Sequence, residues 1–226
     1  MKKVKKLHND SALKCFKCEN GIIIAYTQAT EQGKTAVKYK KISFNDGRAT
    51  FLSKSDFLYF RFGSNFSSFD MQLPNHLAWK SIVLPDSNIL AVGKDGTAKI
   101  LDYDATTVWQ GTMSYKSEGP ADIALHKNSL WASFGSGNAL IRYNLSSKRE
   151  ELRIGGGAAS AFSNPCGIYI FENTMIVCNT GRNELLKVNL ETYEVFKYAE
   201  FDEPVYQYMA IGQAEFVLLE SGLYVM

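Results

Sequence analysis

The sequence predicts an all-β chain folded as a single β-propeller over residues 1–226, and three observations carry that prediction. The first is a degenerate repeat. Gly119-Pro120-Ala121-Asp122-Ile123 through Leu140–Leu145 matches Asn164-Pro165-Cys166-Gly167-Ile168 through Leu185–Leu190, and Glu203-Pro204-Val205-Tyr206 through Glu215–Leu218 follows the same plan. A repeat of about 40–45 residues built from strand-like units is the mark of propeller blades. The second is the local pattern, short period-2 apolar runs bounded by Gly, Asn, Asp and Pro, as half-buried antiparallel strands require. The third is an end that does not close. The last unit stops at Met226 in what would be its third strand, and a ring without free edges needs a fourth from elsewhere.

The N-terminal run Lys2–Leu7 is the simplest source of that fourth strand, pairing beside Gly222–Met226. Gly21–Thr27 and Ala36–Phe44 then form one unit, and the aromatic stretches Phe57–Phe62 and Phe66–Leu73 form a compressed one. Ser81–Leu84, Ile89–Val92, Ala98–Tyr103 and Thr107–Gly111 make a full unit with Lys94-Asp95-Gly96 as its inner turn. The next runs from Asp122-Ile123-Ala124-Leu125 (strand a) through Leu130–Phe134 (b) and Ala139–Leu145 (c) to Glu150–Ile154 (d). Counting the strong b-type strands, near Ile23, Leu58, Leu90, Trp131, Ile176 and Val217, gives six blades. Dividing the length by the clearest repeat gives five as the alternative.

Composition narrows the function classes. Hydrophobic residues make up 46% of the chain and aromatics 13%, as in a globular domain with a substantial core. Lys and Arg total 25 against 23 acids, a net charge of +2, so no field is built for nucleic acid. The lysines at positions 2, 3, 5 and 6 lead into His8, Asn9, Asp10 and Ser11 rather than an apolar run, and the longest apolar stretches are strand-sized. A secretory signal and a membrane span are therefore not expected, and the chain reads as cytoplasmic. Four cysteines occur, Cys15, Cys18, Cys166 and Cys178. Cys15 and Cys18 have the spacing of half a zinc site, but no second pair matches it, so buried strand thiols are expected.

In an up-and-down blade the d–a connectors and b–c turns emerge on one face, and binding groups concentrate on such loops. That face gathers Glu118, Asp122, Asn164 and Glu203 from connectors and Asn138, Asn179, Arg182 and Glu220 from turns. These are the candidate ligand-binding residues. Asn and acids also serve turns for backbone reasons, because they tolerate left-handed conformations and hydrogen-bond their own loops. Conventional catalytic signatures are missing: the histidines are His8, His76 and His126, there is no nucleophile elbow, and Gly155-Gly156-Gly157 leads into a connector rather than a helix.

The Pro-led strands and the run Ile176-Val177-Cys178-Asn179-Thr180-Gly181-Arg182-Asn183-Glu184-Leu185-Leu186-Lys187-Val188-Asn189 resemble NHL and YVTN-type propeller repeats. More distantly, over residues 81–226, they resemble the regucalcin/gluconolactonase family. That resemblance implies a divalent cation at the channel mouth, and Glu118-Gly119-Pro120 matches the family's Glu-Gly-Pro motif. The ligand set it suggests here is Glu118, Asn164, Asn179 and Glu203. The family's Pro-Asn-Gly is Pro165-Cys166-Gly167 in this chain, and the last unit has Pro204-Val205-Tyr206 where a Pro-Asp-Gly would stand. Both departures weaken the set, since a hard cation needs several oxygens.

The leading expectation is therefore a non-enzymatic propeller whose channel-mouth face binds a protein, a peptide or a small polar ligand, with no cofactor. The alternative is a divalent-metal-dependent hydrolase or lactonase. A third reading, a subunit of a larger assembly, looks to the aromatic segment Phe57–Phe69 for an exposed apolar patch.

Overall fold

The computed structural model describes residues 5–8, 12–30, 33–73, 77 and 79–226. The first strand, β1 (Lys5–His8), belongs to the last blade. Blade 1 is β2 (Ala12–Cys18), β3 (Gly21–Ala29), β4 (Thr35–Ser43) and β5 (Ala49–Leu52). Two helices follow, α1 (Lys54–Phe62) and α2 (Phe66–Gln72). Blade 2 is β6 (Lys80–Val83), β7 (Ile89–Val92), β8 (Thr97–Leu101) and β9 (Thr107–Thr112). Blade 3 is β10 (Asp122–His126), β11 (Ser129–Phe134), β12 (Ala139–Asn144) and β13 (Glu150–Gly155). Blade 4 is β14 (Pro165–Phe171), β15 (Thr174–Asn179), β16 (Glu184–Asn189) and β17 (Val195–Glu200). Blade 5 is β18 (Val205–Ile211), β19 (Ala214–Leu219), β20 (Gly222–Val225) and, as its outer strand, β1. Each blade is a four-stranded antiparallel sheet. The chain is a five-bladed β-propeller.

Closure follows the sequence expectation: Lys5 pairs with Val225 and Lys6 with Tyr224. The rest of the Lys2–Leu7 run, residues 2–4, lies outside the described residues. The blade count does not follow it. The expected compressed unit at Phe57–Leu73 is helical, so the count of six falls to the alternative of five. Ser53 caps α1, its side chain accepting from the Asp56 N–H at 3.0 Å, while the Asp56 carboxylate accepts from the Ser53 N–H at 3.0 Å. This reciprocal capping box satisfies two of the helix's orphan donors. Buried Phe57, Leu58, Phe69 and Leu73 and half-buried Phe62 and Phe66 recur at mostly three- to four-residue spacing. That is a helical stripe, not the alternation of a strand.

The long apolar runs of the b strands reflect burial on both sides. On β11, Trp131 packs toward blade 4, whereas Leu130, Ala132 and Phe134 pack toward blade 2. On β15, Met175 and Val177 face blade 3 while Ile176 and Cys178 face blade 5. Blade 5 meets blade 1 through Phe216 and Leu218 against Ile22 and Ile24. The junction between blades 1 and 2 is filled by the helices. Phe57 sits against Ile23, Ala25 and Tyr39 of blade 1, stacked on Tyr39 with ring centroids 4.3 Å apart. Phe69 and Leu73 sit against Ala91, Leu101 and Ala105 of blade 2.

Candidate functional site

The innermost strands β2, β6, β10, β14 and β18 surround a channel, and on the face of the d–a connectors and b–c turns it opens into a cavity of about 480 Å³. Its described lining includes Leu13 and Lys14 of β2, Lys80 of β6, Lys94 of the β7–β8 turn, Glu118–Asp122 before and on β10, and Ser136 of the β11–β12 turn. Asn164, Cys166, Tyr206 and Gln207 complete the wall from blades 4 and 5.

Of the residues expected from sequence, Glu118, Asp122 and Asn164 line this cavity, and Asn138, Asn179, Arg182, Glu203 and Glu220 are not among its described lining. What each does is instructive. Glu118 accepts from the Gly137 N–H at 2.8 Å and from the Ser136 hydroxyl, tying a connector to the b–c turn of its own blade. Glu203 repeats the arrangement in blade 5, accepting from the Ser221 N–H at 2.7 Å and its hydroxyl at 2.6 Å. Asn138 takes a left-handed φ of 52° and accepts from the Asn164 N–H at 2.8 Å, linking blades 3 and 4. Asn179 is fully buried; it accepts from the Ser163 N–H at 2.6 Å and donates to Glu184 at 2.7 Å. Arg182 donates to the Ala161 carbonyl, and the Glu220 N–H to the Pro204 carbonyl.

Glycine explains part of the Glu-Gly-Pro element. A Cβ on Gly119 would stand 2.3 Å from the Gly93 carbonyl oxygen and 2.5 Å from the Gly96 nitrogen. Its N–H donates to Lys94 O at 2.8 Å, so the connector of blade 3 lies directly on the turn of blade 2. Only a residue without a side chain permits that approach.

A series of polar latches carries the ring from blade to blade. Asp122 accepts from the Ile168 N–H at 3.1 Å. Ser133, fully buried, donates to the Cys166 carbonyl, and Thr180 donates to the Val205 carbonyl at 2.6 Å. Gln207 brackets Cys15, accepting from its N–H at 2.9 Å and donating to its carbonyl at 2.8 Å. From α1, Arg61 reaches the Ser81 hydroxyl on β6.

Sequence reasoning missed the lysines. Lys14 of blade 1 reaches toward Asp122 of blade 3, its Nζ 4.0 Å from Oδ1. Those blades are not neighbours, so the pair spans the channel. Burial pulls the Lys14 ammonium down from 10.5 to about 8; Asp122 opposes this, and the charges of Lys80 and Arg61 add to it. Arg61 is itself lowered to about 10 by burial. An isolated Lys in an inner strand gives no motif, and only the ring topology brings Lys14, Lys80 and Lys94 together.

The four cysteines are free thiols on strands: Cys15 and Cys178 are buried, and Cys18 and Cys166 half-buried. Burial pushes Cys15 up to about 12, so it is not a ready nucleophile or metal ligand. Among the described residues no three His, Cys, Asp or Glu gather as a metal site. His126 is the last residue of β10, toward the opposite face, its Nε2 3.1 Å from Asn173 Oδ1. His76 lies outside the described residues, and the side chain of His8 does too. No helix among the described residues is long and apolar enough to cross a membrane.

No protein-family model and no curated protein matches the sequence. Solved structures do match. Catalytically inactive H270A virginiamycin B lyase from Staphylococcus aureus, crystallised with quinupristin, aligns over 99% of this chain and 98% of its own, with TM-score 0.56 and 10% identity. A streptogramin B lyase aligns over 99% and 96%, with TM-score 0.53 and 12% identity. Sqt1 of Saccharomyces cerevisiae aligns over 91% and 68%, with TM-score 0.52 and 8% identity. At such identities the likeness is one of fold.

Proposed function

We propose that this chain is a binding propeller that takes a small polar ligand, or a polar group of a peptide or protein, at its channel mouth and performs no chemistry on it. The observation that carries the reading is the cavity of about 480 Å³ where connectors and turns of the blades converge. Its volume suits a small molecule or one or two side chains. The loop carboxylates that would serve catalysis are engaged in holding turns, Glu118 at Ser136 and Gly137 and Glu203 at Ser221. No histidine is among the described residues of the lining. The NHL and YVTN character of the repeats rests on the Pro-led strands of blades 4 and 5, Pro165 and Pro204, and on Pro120 just ahead of blade 3.

The metal-dependent hydrolase reading has less support. Of its suggested ligands, Asn179 is buried with its amide committed to Ser163 and Glu184, and both glutamates already accept from turn donors. A Tm screen of polar metabolites and short peptides tests the binding reading, with Leu13→Trp narrowing the rim. Ligands that raise Tm of the native chain and not of Leu13→Trp are expected. A Tm rise with Ca²⁺ or Mn²⁺ that disappears in Glu118→Gln would instead favour the hydrolase.

A further inference from the structure

We propose that the channel mouth is a site for a small organic oxyanion, a carboxylate or a phosphate, held by Lys14 and Lys80 with Lys94 at the rim. The inference rests on the reading of the mouth as the binding face and adds the chemistry of what it takes.

The argument is an account of donors and acceptors. Among the described residues, three ammonium groups and two carboxylates line the cavity. The carboxylates are largely spent. Glu118 accepts from Ser136 and Gly137 through both oxygens. Asp122 accepts from the Ile168 N–H with one oxygen and faces Lys14 with the other. The amide of Gln207, on the wall from blade 5, is closed on the Cys15 backbone. The ammonium groups are not spent. Lys14 stands 4.0 Å from Asp122, an ion pair beyond hydrogen-bond length. No carboxylate among the described residues forms an ion pair with Lys80 or Lys94. Each ammonium offers three donors and no acceptor, so the cavity holds a surplus of donors and of positive charge. Water satisfies such groups when the site is empty. A ligand that displaces the water must bring acceptors and negative charge.

The field agrees with this account. Burial is the largest cause of the lowered Lys14 value and Asp122 opposes it, while Lys80 and Arg61 both disfavour the charge on Lys14, so cations from separate elements converge on this side chain. An arriving oxyanion relieves that repulsion, whereas a cation or a metal ion would increase it. Leu13, Pro120, Ala121 and Leu218 give the lining an apolar part, so there is room for a carbon skeleton beside the charged group.

Isothermal titration calorimetry at pH 7 and constant ionic strength tests the proposal on the intact chain, using citrate, glutarate and inorganic phosphate, with glutaramide as the uncharged counterpart. The expected result is that at least one oxyanion binds with a Kd below about 1 mM and glutaramide does not. Lys80→Met, a substitution at a half-buried position, is expected to weaken binding roughly tenfold or more while leaving the Tm close to that of the native chain. Lys14→Met gives an independent second loss. Citrate or glutarate binding identifies a carboxylate site, and phosphate binding a phosphate site. The inference is overturned if none of the three anions binds, or if they bind both lysine variants as tightly as the native chain. Glutaramide or another neutral ligand that binds the native chain and both lysine variants, and is excluded by Leu13→Trp, overturns the oxyanion and leaves the mouth as the binding face. Binding that Leu13→Trp leaves unchanged overturns the mouth itself.

Discussion

Blades 3 and 4 meet strand to strand, and the junction between blades 1 and 2 is joined through two helices. At the first junction the same devices recur: alternating apolar residues of a b strand shared between neighbours, and a side chain of one inner strand closed on the backbone of the next, as Asp122 is on Ile168. At the second, one aromatic on each side does the joining, Phe57 toward blade 1 and Phe69 toward blade 2. A repeated sequence thus encodes a repeated interface, and where the repeat lapses the ring is completed by packing volume instead. The latches at the first junction fix register to within a hydrogen bond. The helical segment fills a gap and is held to blade 2 by scattered polar ties, Arg61 to Ser81, Asn65 to the Tyr103 carbonyl and Lys99 to the Gln72 carbonyl.

That contrast can be broken at either side. The largest effect is expected at the helical junction. Phe57 is fully buried and stacked on Tyr39, so Phe57→Ala should cost about 3–5 kcal/mol in urea unfolding. Hydrogen exchange should also show α1 and α2 opening below the global free energy while β11 and β15 exchange only with global unfolding. Equal protection in both regions would erase the distinction. Next comes Asn179→Ala on the latched side, which strands the Ser163 N–H and removes a donor from Glu184. A loss of about 1–3 kcal/mol is expected, with no change in exchange at the helices. Glu118→Gln is smaller, about 0.5–1.5 kcal/mol, because a neutral acceptor still serves the turn at Gly137.

The smallest effect is a pH dependence at the channel. The value of about 8 for Lys14 lies below its ordinary 10.5, so between the two the unfolded chain holds a proton that the folded chain has released. Folded stability therefore rises with pH across that window on account of this group. The groups that act on it are Asp122 from β10, Lys80 from β6 and Arg61 from α1. Melts of the native chain and Lys14→Met from pH 7 to 10.5 should show the rise in the native chain only, and modestly, since 23% of the side chain is exposed.

How much of this was legible in the sequence divides along the same line. Blades 2 to 5 were readable because each run, such as Leu130–Phe134, is bounded by turn residues with defined backbone roles; Asn138, Asn164 and Asn183 all adopt positive φ. The helices were misread because dense Phe and Tyr outweighed spacing, although Ser53 and Asp56 carried a capping signal three residues apart. On the candidate face, Glu118, Asp122 and Asn164 line a cavity where connectors and turns converge. The lysines were not readable, because no local pattern records that Lys14, Lys80 and Lys94 converge from separate blades. Residues of the right type for a site were, in Asn179 and Glu203, residues that close loops.

The pairing of Lys5 with Val225 has a consequence in time. Blades 1 to 4 are each contiguous in the chain and can form as soon as their residues are available, with short loops to close. Blade 5 alone requires segments from opposite ends of the described chain to meet, the costliest closure in entropy. Until they meet, β20 presents an unpaired edge able to recruit another strand. Ring closure is therefore expected to be the slow phase of refolding, and the one whose yield falls as protein concentration rises.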